Sequence, residues 1–151
     1  MAGGSDAKAA SDGIDPAVDP ELAERIRLVL FGSPVARALG VGLARLSVDR
    51  ATAVLPFRTQ NVTVGDIVHG GVIAALIDIA GVAAALSGAA SEGLRGSATS
   101  QLNISYLAPA KGVALAAEAR VLRRGRRQAV VDVEVRAADL VAKALVTVAL
   151  F

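Results

Sequence analysis

The sequence has no cysteine and no tryptophan, one histidine, and only 3% aromatic residues. Without cysteine the chain has no disulfide, no thiol nucleophile and no Cys-based zinc site, and one histidine excludes a His-rich metal site. Scarce aromatic residues argue against a base-stacking surface for single-stranded nucleic acid. The first twenty residues also lack a basic segment followed by an apolar run, so no signal peptide is expected. Together these features predict a cytoplasmic protein with no metal or cofactor and no nucleic-acid partner.

The charge is divided unevenly along the 151 residues. The whole chain has a formal net charge of +2, whereas residues 1–20 contain four Asp and one Lys, so the remainder is distinctly basic. Most of its basic residues are Arg, whose forked guanidinium binds phosphate in two places. Residues 1–20 are rich in Ala, Gly, Ser, Asp and Pro and show no periodicity, which predicts a disordered tail. The rest, 21–151, is predicted to form one domain.

Hydrophobic periodicity predicts an α+β fold. The expected elements, in chain order, are a helix over Glu21–Phe31, a short helix between Ser33-Pro34 and Gly40, two strands within Val41–Phe57, a loop over Thr59–Val68, a long apolar helix from Gly70 to Leu86, and four strands between Ser97 and Leu150. Strands joined by short turns favour antiparallel pairing. We therefore expect one antiparallel sheet wrapped around the long helix.

The stretch from Gly70 to Ala90 is long enough to span a bilayer, and Asp78 is its only charged residue. Its composition is mostly Ala and Gly, and an acid near its centre would cost roughly 2.5–3.5 kcal/mol in a membrane. A helix that is apolar on all sides is also typical of one enclosed by protein. We therefore interpret it as a core helix and expect no membrane association.

The residues most suited to chemistry surround the start of this helix. His69-Gly70-Gly71 leads into it, and backbone N–H groups at a helix N-terminus suit a developing oxyanion. Asp78 lies about two turns further on, and a carboxylate among apolar residues is costly unless it has a partner or a function. His69 is open to two interpretations: it anchors the loop or it contacts substrate.

Two segments carry a resemblance to a known family: Asn61…Val68-His69-Gly70-Gly71-x-x-x-x-Leu76-x-Asp78-x-Ala80 and Leu102-x-Ile104-x-Tyr106-Leu107-x-Pro109-Ala110. The pattern resembles that of the hotdog-fold acyl-CoA thioesterases of the phenylacetate-pathway type, over roughly residues 21–150. The spacing of nine from His69 to Asp78 is its most specific part. The resemblance implies a six-stranded antiparallel sheet around one helix, chains joined through edge strands into homodimers, and dimers paired into homotetramers.

The resemblance also implies roles for catalytic residues. Asp78 corresponds to the family's catalytic acid, acting as nucleophile or as general base for water. Gly70 corresponds to the residue whose N–H polarises the thioester carbonyl, with His69 beside it. Thr99 corresponds to a hydroxyl residue that faces Asp78 from the other subunit. Alternation along the strand places Thr99 on the polar face, shared with Gln101, Asn103 and Ser105.

The resemblance to this family also implies substrate-binding positions. The CoA phosphates are expected at Arg124, Arg126 and Arg127, at the turn between two late strands, although a solvated turn explains these residues equally well. Gly71 is expected to contact substrate. Asn61 is eight residues before His69, whereas the family's Asn is six before it. Either the loop is two residues longer here or Asn61 has no part in the site.

The predicted function is hydrolysis of an acyl-CoA thioester to a free acid and CoA. A non-catalytic acyl-CoA-binding module is the alternative, because the same fold also serves sensors. A dehydratase is less favoured, since the sole histidine precedes two glycines instead of lying in a hydratase-type motif. The acyl group is not specified by the sequence.

Overall fold

A computed structural model describes residues 13–151 of the protein. Its helical elements are α1 (Pro20–Arg25), a π-helical turn (Ile26–Leu30), α2 (Pro34–Leu39), a 3-10 turn (Thr59–Asn61) and α3 (Gly70–Ser87). Its strands are β1 (Gly42–Ser47), β2 (Arg50–Leu55), β3 (Val62–Val64), β4 (Ile67–Val68), β5 (Ser97–Tyr106), β6 (Leu115–Arg124), β7 (Gln128–Arg136) and β8 (Leu140–Leu150). The predicted order is confirmed, except that the stretch predicted as a loop before α3 contains the small β3–β4 hairpin.

Six strands form one antiparallel sheet in the order β1-β2-β6-β7-β8-β5. Alternate side chains of β6, β7 and β8 are buried beneath α3, as a period of two requires for a sheet with one covered face. The helix lies across the inner face of this curved sheet. The predicted α+β hotdog architecture, a six-stranded antiparallel sheet around one long helix, is confirmed.

Helix α3 is apolar and long enough to cross a membrane by length and composition alone, with a mean hydropathy of 1.9. Two thirds of it (67%) is nevertheless buried inside the fold. The prediction that protein encloses this segment is confirmed.

Gly81 sets the distance between α3 and the sheet. A Cβ at this position would lie 3.2 Å from three side-chain carbons of Val146 on β8. This separation is tighter than ordinary van der Waals contact, so a side chain at Gly81 would force α3 and Val146 apart by a few tenths of an ångström. The absence of a side chain thus allows the close approach.

The N-terminal end of the described chain is ordered, contrary to the prediction that the tail extends to residue 20. The Asp15 N–H donates to the Leu46 carbonyl (2.8 Å), and the Leu46 N–H donates to the Gly13 carbonyl (2.9 Å). Val18 is buried, with 2% of its surface exposed. A few apolar side chains are enough to fix this segment against β1, although its average composition is polar. The rest of the predicted tail, residues 1–12, lies outside the described residues.

The predicted short helix α2 has the expected ends. The Ser33 hydroxyl accepts a hydrogen bond from the Ala36 N–H (3.2 Å), and Pro34 occupies the first helical position. Gly40 ends the helix with φ of +82°, in the left-handed region that favours glycine. These three residues identify the helix from sequence alone.

Candidate active site

The start of α3 is held by two side chains. The Gly71 N–H donates to Nδ1 of His69 (2.8 Å), so His69 caps the helix. The Tyr106 hydroxyl donates to the Gly70 carbonyl (2.7 Å). The Gly70 N–H has no hydrogen-bond partner within residues 13–151. Of the N–H groups at this helix start that were expected to suit an oxyanion, the Gly71 N–H is therefore occupied and the Gly70 N–H is available.

Asp78 is half-buried on α3 and accepts a hydrogen bond from the Thr99 hydroxyl at 2.5 Å. The other carboxylate oxygen, Oδ2, has no partner in the described part of the chain and is not sealed from solvent. The arrangement thus fixes the carboxylate through one oxygen and leaves the second available to a reacting group.

Thr99 belongs to the same chain as the Asp78 that it contacts, so the prediction that it reaches across from another subunit is wrong. The prediction of one polar face on β5 is also wrong. A β-bulge between Thr99 and Gln101 changes the register, so that Thr99 lies opposite the buried Val148 and Gln101 lies opposite Thr147. Thr99 therefore faces inward, away from the face that carries Gln101, Asn103 and Ser105.

Asn61 holds the loop that precedes α3. Its side-chain Nδ2 donates to the Leu39 carbonyl (2.8 Å), and its own carbonyl accepts from the His69 N–H (2.9 Å). The residue is buried, with 4% of its surface exposed. Its amide nitrogen is therefore committed to the fold, and Asn61 positions His69 by backbone contact, which departs from the predicted role in substrate binding.

Arg124 is also committed to the fold, contrary to the prediction that it meets CoA phosphates. Its Nε and Nη2 donate to one carboxylate oxygen of Asp49 (2.9 and 2.6 Å), and Nη2 also donates to the Ala85 carbonyl in the last turn of α3 (2.7 Å). Nη1 is buried and has no partner among residues 13–151. Arg124 thus joins the β1–β2 turn to the C-terminal end of the helix.

Arg126 and Arg127 are exposed and line an open depression of about 710 Å³ between the β6–β7 turn and the loop of residues 88–96. Arg95, on that loop, lines the same depression. Sequence reasoning missed Arg95 because it is about thirty residues away from the turn. Arg95 is four residues before Thr99, so one segment of chain connects the depression to the Asp78–Thr99 pair.

The loop that carries Arg95 is tied to the N-terminal helix. Nη2 of Arg25 donates to the Arg95 carbonyl (2.8 Å), and the Ser91 hydroxyl donates to Oδ2 of Asp19 (2.7 Å). The Ser91 hydrogen bond is the chief cause that holds the pKa of Asp19 below its usual value. These contacts fix the side of the depression opposite the β6–β7 turn.

The outer face of the sheet carries a second cluster of charges, away from α3. Lys143 donates to Asp132 (2.7 Å) and to Glu134 (3.0 Å), and Arg120 contacts Asp132 (3.3 Å). The hydrogen bond with Asp132 raises the pKa of Lys143, and the hydrogen bond from Lys143 lowers the pKa of Glu134. Residues 13–151 contain no cluster of three His, Cys, Asp or Glu side chains that would hold a metal ion.

Comparison with known proteins agrees with the observed fold. The family model described as the thioesterase superfamily matches residues 65–143, which include α3, β5, β6 and β7. A medium/long-chain acyl-CoA thioesterase, YigI of Salmonella typhimurium, is 31% identical over 127 residues, covering 74% of this chain and 81% of that protein.

Solved structures share the fold. A mutant form of the phenylacetic acid degradation protein PaaI from Thermus thermophilus superposes with a TM-score of 0.69 at 27% identity, covering 78% of this chain and 98% of that one. A thioesterase family protein from Silicibacter pomeroyi has a TM-score of 0.80 at 23% identity, covering 86% and 98% of the two chains. The match over residues 65–143, together with these relatives, shows that the chain is an enzyme of the thioesterase superfamily.

Proposed function

We propose that the protein hydrolyses an acyl-CoA thioester to a carboxylic acid and CoA, with Asp78 as the reacting carboxylate. The observation that carries this proposal is the pairing of Asp78 with Thr99, which leaves one carboxylate oxygen accessible. The free Gly70 N–H at the start of the same helix supports it, because it is a preorganised donor for a carbonyl oxygen that gains negative charge. The acyl-CoA substrate class is supported by the relative YigI.

Two routes satisfy this geometry. As a general base, Asp78 takes a proton from water while the water oxygen attacks the thioester carbon. The C–S bond then breaks, and the CoA thiolate leaves and takes up a proton. As a nucleophile, Asp78 itself attacks the carbon and displaces the thiolate, and water then cleaves the resulting mixed anhydride. In both routes the carbonyl oxygen becomes an oxyanion that the Gly70 N–H stabilises.

The two groups that act on one thioester are proposed to come from two chains. Gly70 and Asp78 are eight residues apart in α3, a separation of about 12 Å along the helix axis. Because of that distance, one thioester group cannot both accept a hydrogen bond from the Gly70 N–H and react with Asp78, or with a water held by Asp78, of the same helix. The Gly70 N–H of one copy is therefore paired with the Asp78–Thr99 pair of another.

Strand β5 supplies a surface through which two copies can join. It is the edge strand next to β8, is ten residues long and is exposed over most of its length. An edge strand of this length has backbone N–H and C=O groups free to pair with another strand. We propose a homodimer joined along β5. The homotetramer and the cytoplasmic location expected from sequence stay predictions.

The CoA phosphates are proposed to bind in the depression lined by Arg95, Arg126 and Arg127. Neutralising Arg126 would raise the KM for acyl-CoA and leave kcat nearly unchanged, because it removes binding shared by substrate and transition state. A pantetheine thioester, which lacks the nucleotide phosphates, would show no such change. Equal effects on both substrates would contradict the phosphate site and leave the hydrolytic proposal intact.

The first experiment measures CoA release from a panel of acyl-CoA thioesters that includes medium-chain, long-chain and aromatic acyl groups. Release by the wild type and its loss in the folded Asp78→Asn variant are the expected results. Tight binding of acyl-CoA without release would contradict hydrolysis and favour a binding module.

Two variants of Gly70 test its N–H directly. Gly70→Pro deletes the N–H at the first helical position, where proline is tolerated, and His69 has an extended conformation that suits a following proline. Gly70→Ala keeps the N–H, and its Cβ would lie at an ordinary distance, 3.5 Å, from the Tyr106 ring. We expect kcat to fall about 100-fold in the proline variant and to change only slightly in the alanine variant. Similar activity in the two variants would contradict the role of the N–H.

Mixing the two inactive variants, Gly70→Pro and Asp78→Asn, tests whether the site combines two chains. In a mixed dimer one site contains both changes and the other contains neither. Random mixing is therefore expected to restore about a quarter of wild-type activity. No recovery after subunit exchange, verified by mass spectrometry of differently tagged chains, would show that each site belongs to one chain.

A further inference from the structure

Tyr106 and His69 hold opposite edges of one peptide unit. The Tyr106 hydroxyl donates to the carbonyl of the Gly70–Gly71 peptide (2.7 Å), and the N–H of that peptide donates to Nδ1 of His69 (2.8 Å). In a trans peptide these two groups point in opposite directions. The peptide is thus clamped from both sides, by one residue of β5 and one of the loop before α3.

The clamp acts where the backbone has most freedom. Gly70 and Gly71 have no side chains to restrict their dihedral angles, and they occupy the first turn of the helix. The Tyr106 ring also covers Gly70, since a Cβ there would lie 3.5 Å from two of its carbons. The phenol is 52% exposed, so burial of apolar surface does not by itself explain a tyrosine at this position. A phenylalanine would cover Gly70 equally well, and only the hydroxyl forms the clamp.

We propose that Tyr106 is a positioning residue: with His69 it clamps the Gly70–Gly71 peptide and thereby restricts rotation about the Gly70 backbone bonds, which link this peptide to the neighbouring His69–Gly70 peptide that carries the free N–H. The catalytic consequence rests on the proposed function, whereas the clamp itself does not. The Tyr106 bond polarises the peptide and so strengthens the hydrogen bond from Gly71 to His69. Nδ1 accepts this bond and carries no hydrogen, so neutral His69 has its hydrogen on Nε2. The clamp therefore also selects the tautomer of the imidazole.

The chain offers a clear test because it contains a single tyrosine and a single histidine. Tyr106→Phe keeps the ring and deletes the hydroxyl. Thr52→Val is the matched control, since it deletes a hydroxyl from β2 on the outer face of the sheet, where Thr52 pairs with Glu118, away from α3. Two measurements are made on each variant: kcat and KM for an acyl-CoA that the wild type hydrolyses, and the ¹⁵N spectrum of the imidazole in the substrate-free protein at neutral pH.

In Tyr106→Phe we expect kcat to fall about 3- to 10-fold with little change in KM, the effect of one lost hydrogen bond on an interaction made in the transition state. The ¹⁵N spectrum is expected to change from a hydrogen fixed on Nε2 to a mixture of tautomers. Thr52→Val is expected to match the wild type in both measurements.

A wild-type ¹⁵N spectrum in Tyr106→Phe would overturn the clamp. An increase in KM with unchanged kcat would also overturn the proposal, because Tyr106 would then be a wall of the substrate site. If the wild type hydrolyses no thioester in the panel, the proposed function fails, and the imidazole spectrum still decides whether the clamp exists.

Discussion

Replacing Arg124 with alanine separates its structural role from the phosphate-binding role predicted by sequence. Its pair with Asp49 is partly exposed, with side-chain exposures of 24% and 38%. A surface ion pair stabilises a fold by about 0–1 kcal/mol, whereas removing one partner of a buried pair costs about 3–5 kcal/mol. Because the Arg124–Asp49 pair is intermediate in exposure, we assign it about 1–2 kcal/mol. The hydrogen bond from Arg124 to the Ala85 carbonyl stabilises the fold by about 1 kcal/mol. Burial of Nη1 without a partner costs about the same amount, so these two contributions cancel.

The net expectation is a loss of about 1–2 kcal/mol in the free energy of unfolding, or roughly 2–8 °C in Tm for a domain of this size. Urea unfolding gives the change in free energy and thermal unfolding the change in Tm, both followed by circular dichroism, and Arg126→Ala is the control. Arg126 is exposed on the same turn, so its variant is expected to keep the wild-type Tm. An unchanged Tm in Arg124→Ala, combined with a higher KM for acyl-CoA, would refute the structural role and restore the phosphate interpretation.

Three further predictions concern charges and hydroxyls seen in the structure. In Asp78→Asn we expect kcat to fall at least ~100-fold, with unchanged or higher Tm because a half-buried carboxylate has been removed; wild-type turnover in a folded variant would contradict the mechanism. Thr99→Val removes the hydroxyl that fixes one oxygen of Asp78, and we expect a roughly 10-fold loss of kcat, checked by steady-state kinetics with the fold verified by circular dichroism. The pKa of Glu134 is lowered by Lys143, so their interaction stabilises the fold above the usual Glu value of 4.5 and is lost as the pH falls through the folded-state pKa. Conversely, the pKa of Lys143 is raised chiefly by Asp132, so that contribution is present below 10.5 and is lost as the pH rises through the folded-state pKa. Urea unfolding at a series of pH values measures the free energy of unfolding of the wild type and of Lys143→Met. The difference between the two proteins is expected to become smaller at both low and high pH, and a difference that does not change with pH would contradict this prediction.

The fold was predictable because its signals are local. Alternating residues in β7, such as Val131 and Val133, and the continuous apolar run of α3 are visible within a few residues of sequence. Asp78 was predictable for the same reason, as a carboxylate isolated within an apolar helix. The chemical role proposed for Asp78 came from the resemblance to a thioesterase family.

The contacts of the site were less predictable because they depend on distant segments. The bulge beside Thr99 is a property of the pairing between β5 and β8, and alternation along β5 alone places Thr99 on the wrong face. Arg124 stands in a run of arginines, and its partner Asp49 is 75 residues away. Nothing in either local sequence distinguishes it from the exposed Arg126.

Helix α3 packs closely against the sheet, and this packing limits which substitutions can change the substrate range of the enzyme. Since a Cβ at Gly81 would lie only 3.2 Å from Val146 and the adjoining alanines are fully buried, larger side chains on that side would crowd α3 against the sheet. Ala74, Ala75 and Val82 lie instead on the half-exposed side of α3, near Asp78. If the proposed reaction takes place at Asp78, we therefore expect substitutions that alter the choice of acyl group to be accommodated on this side of the helix and not at Gly81.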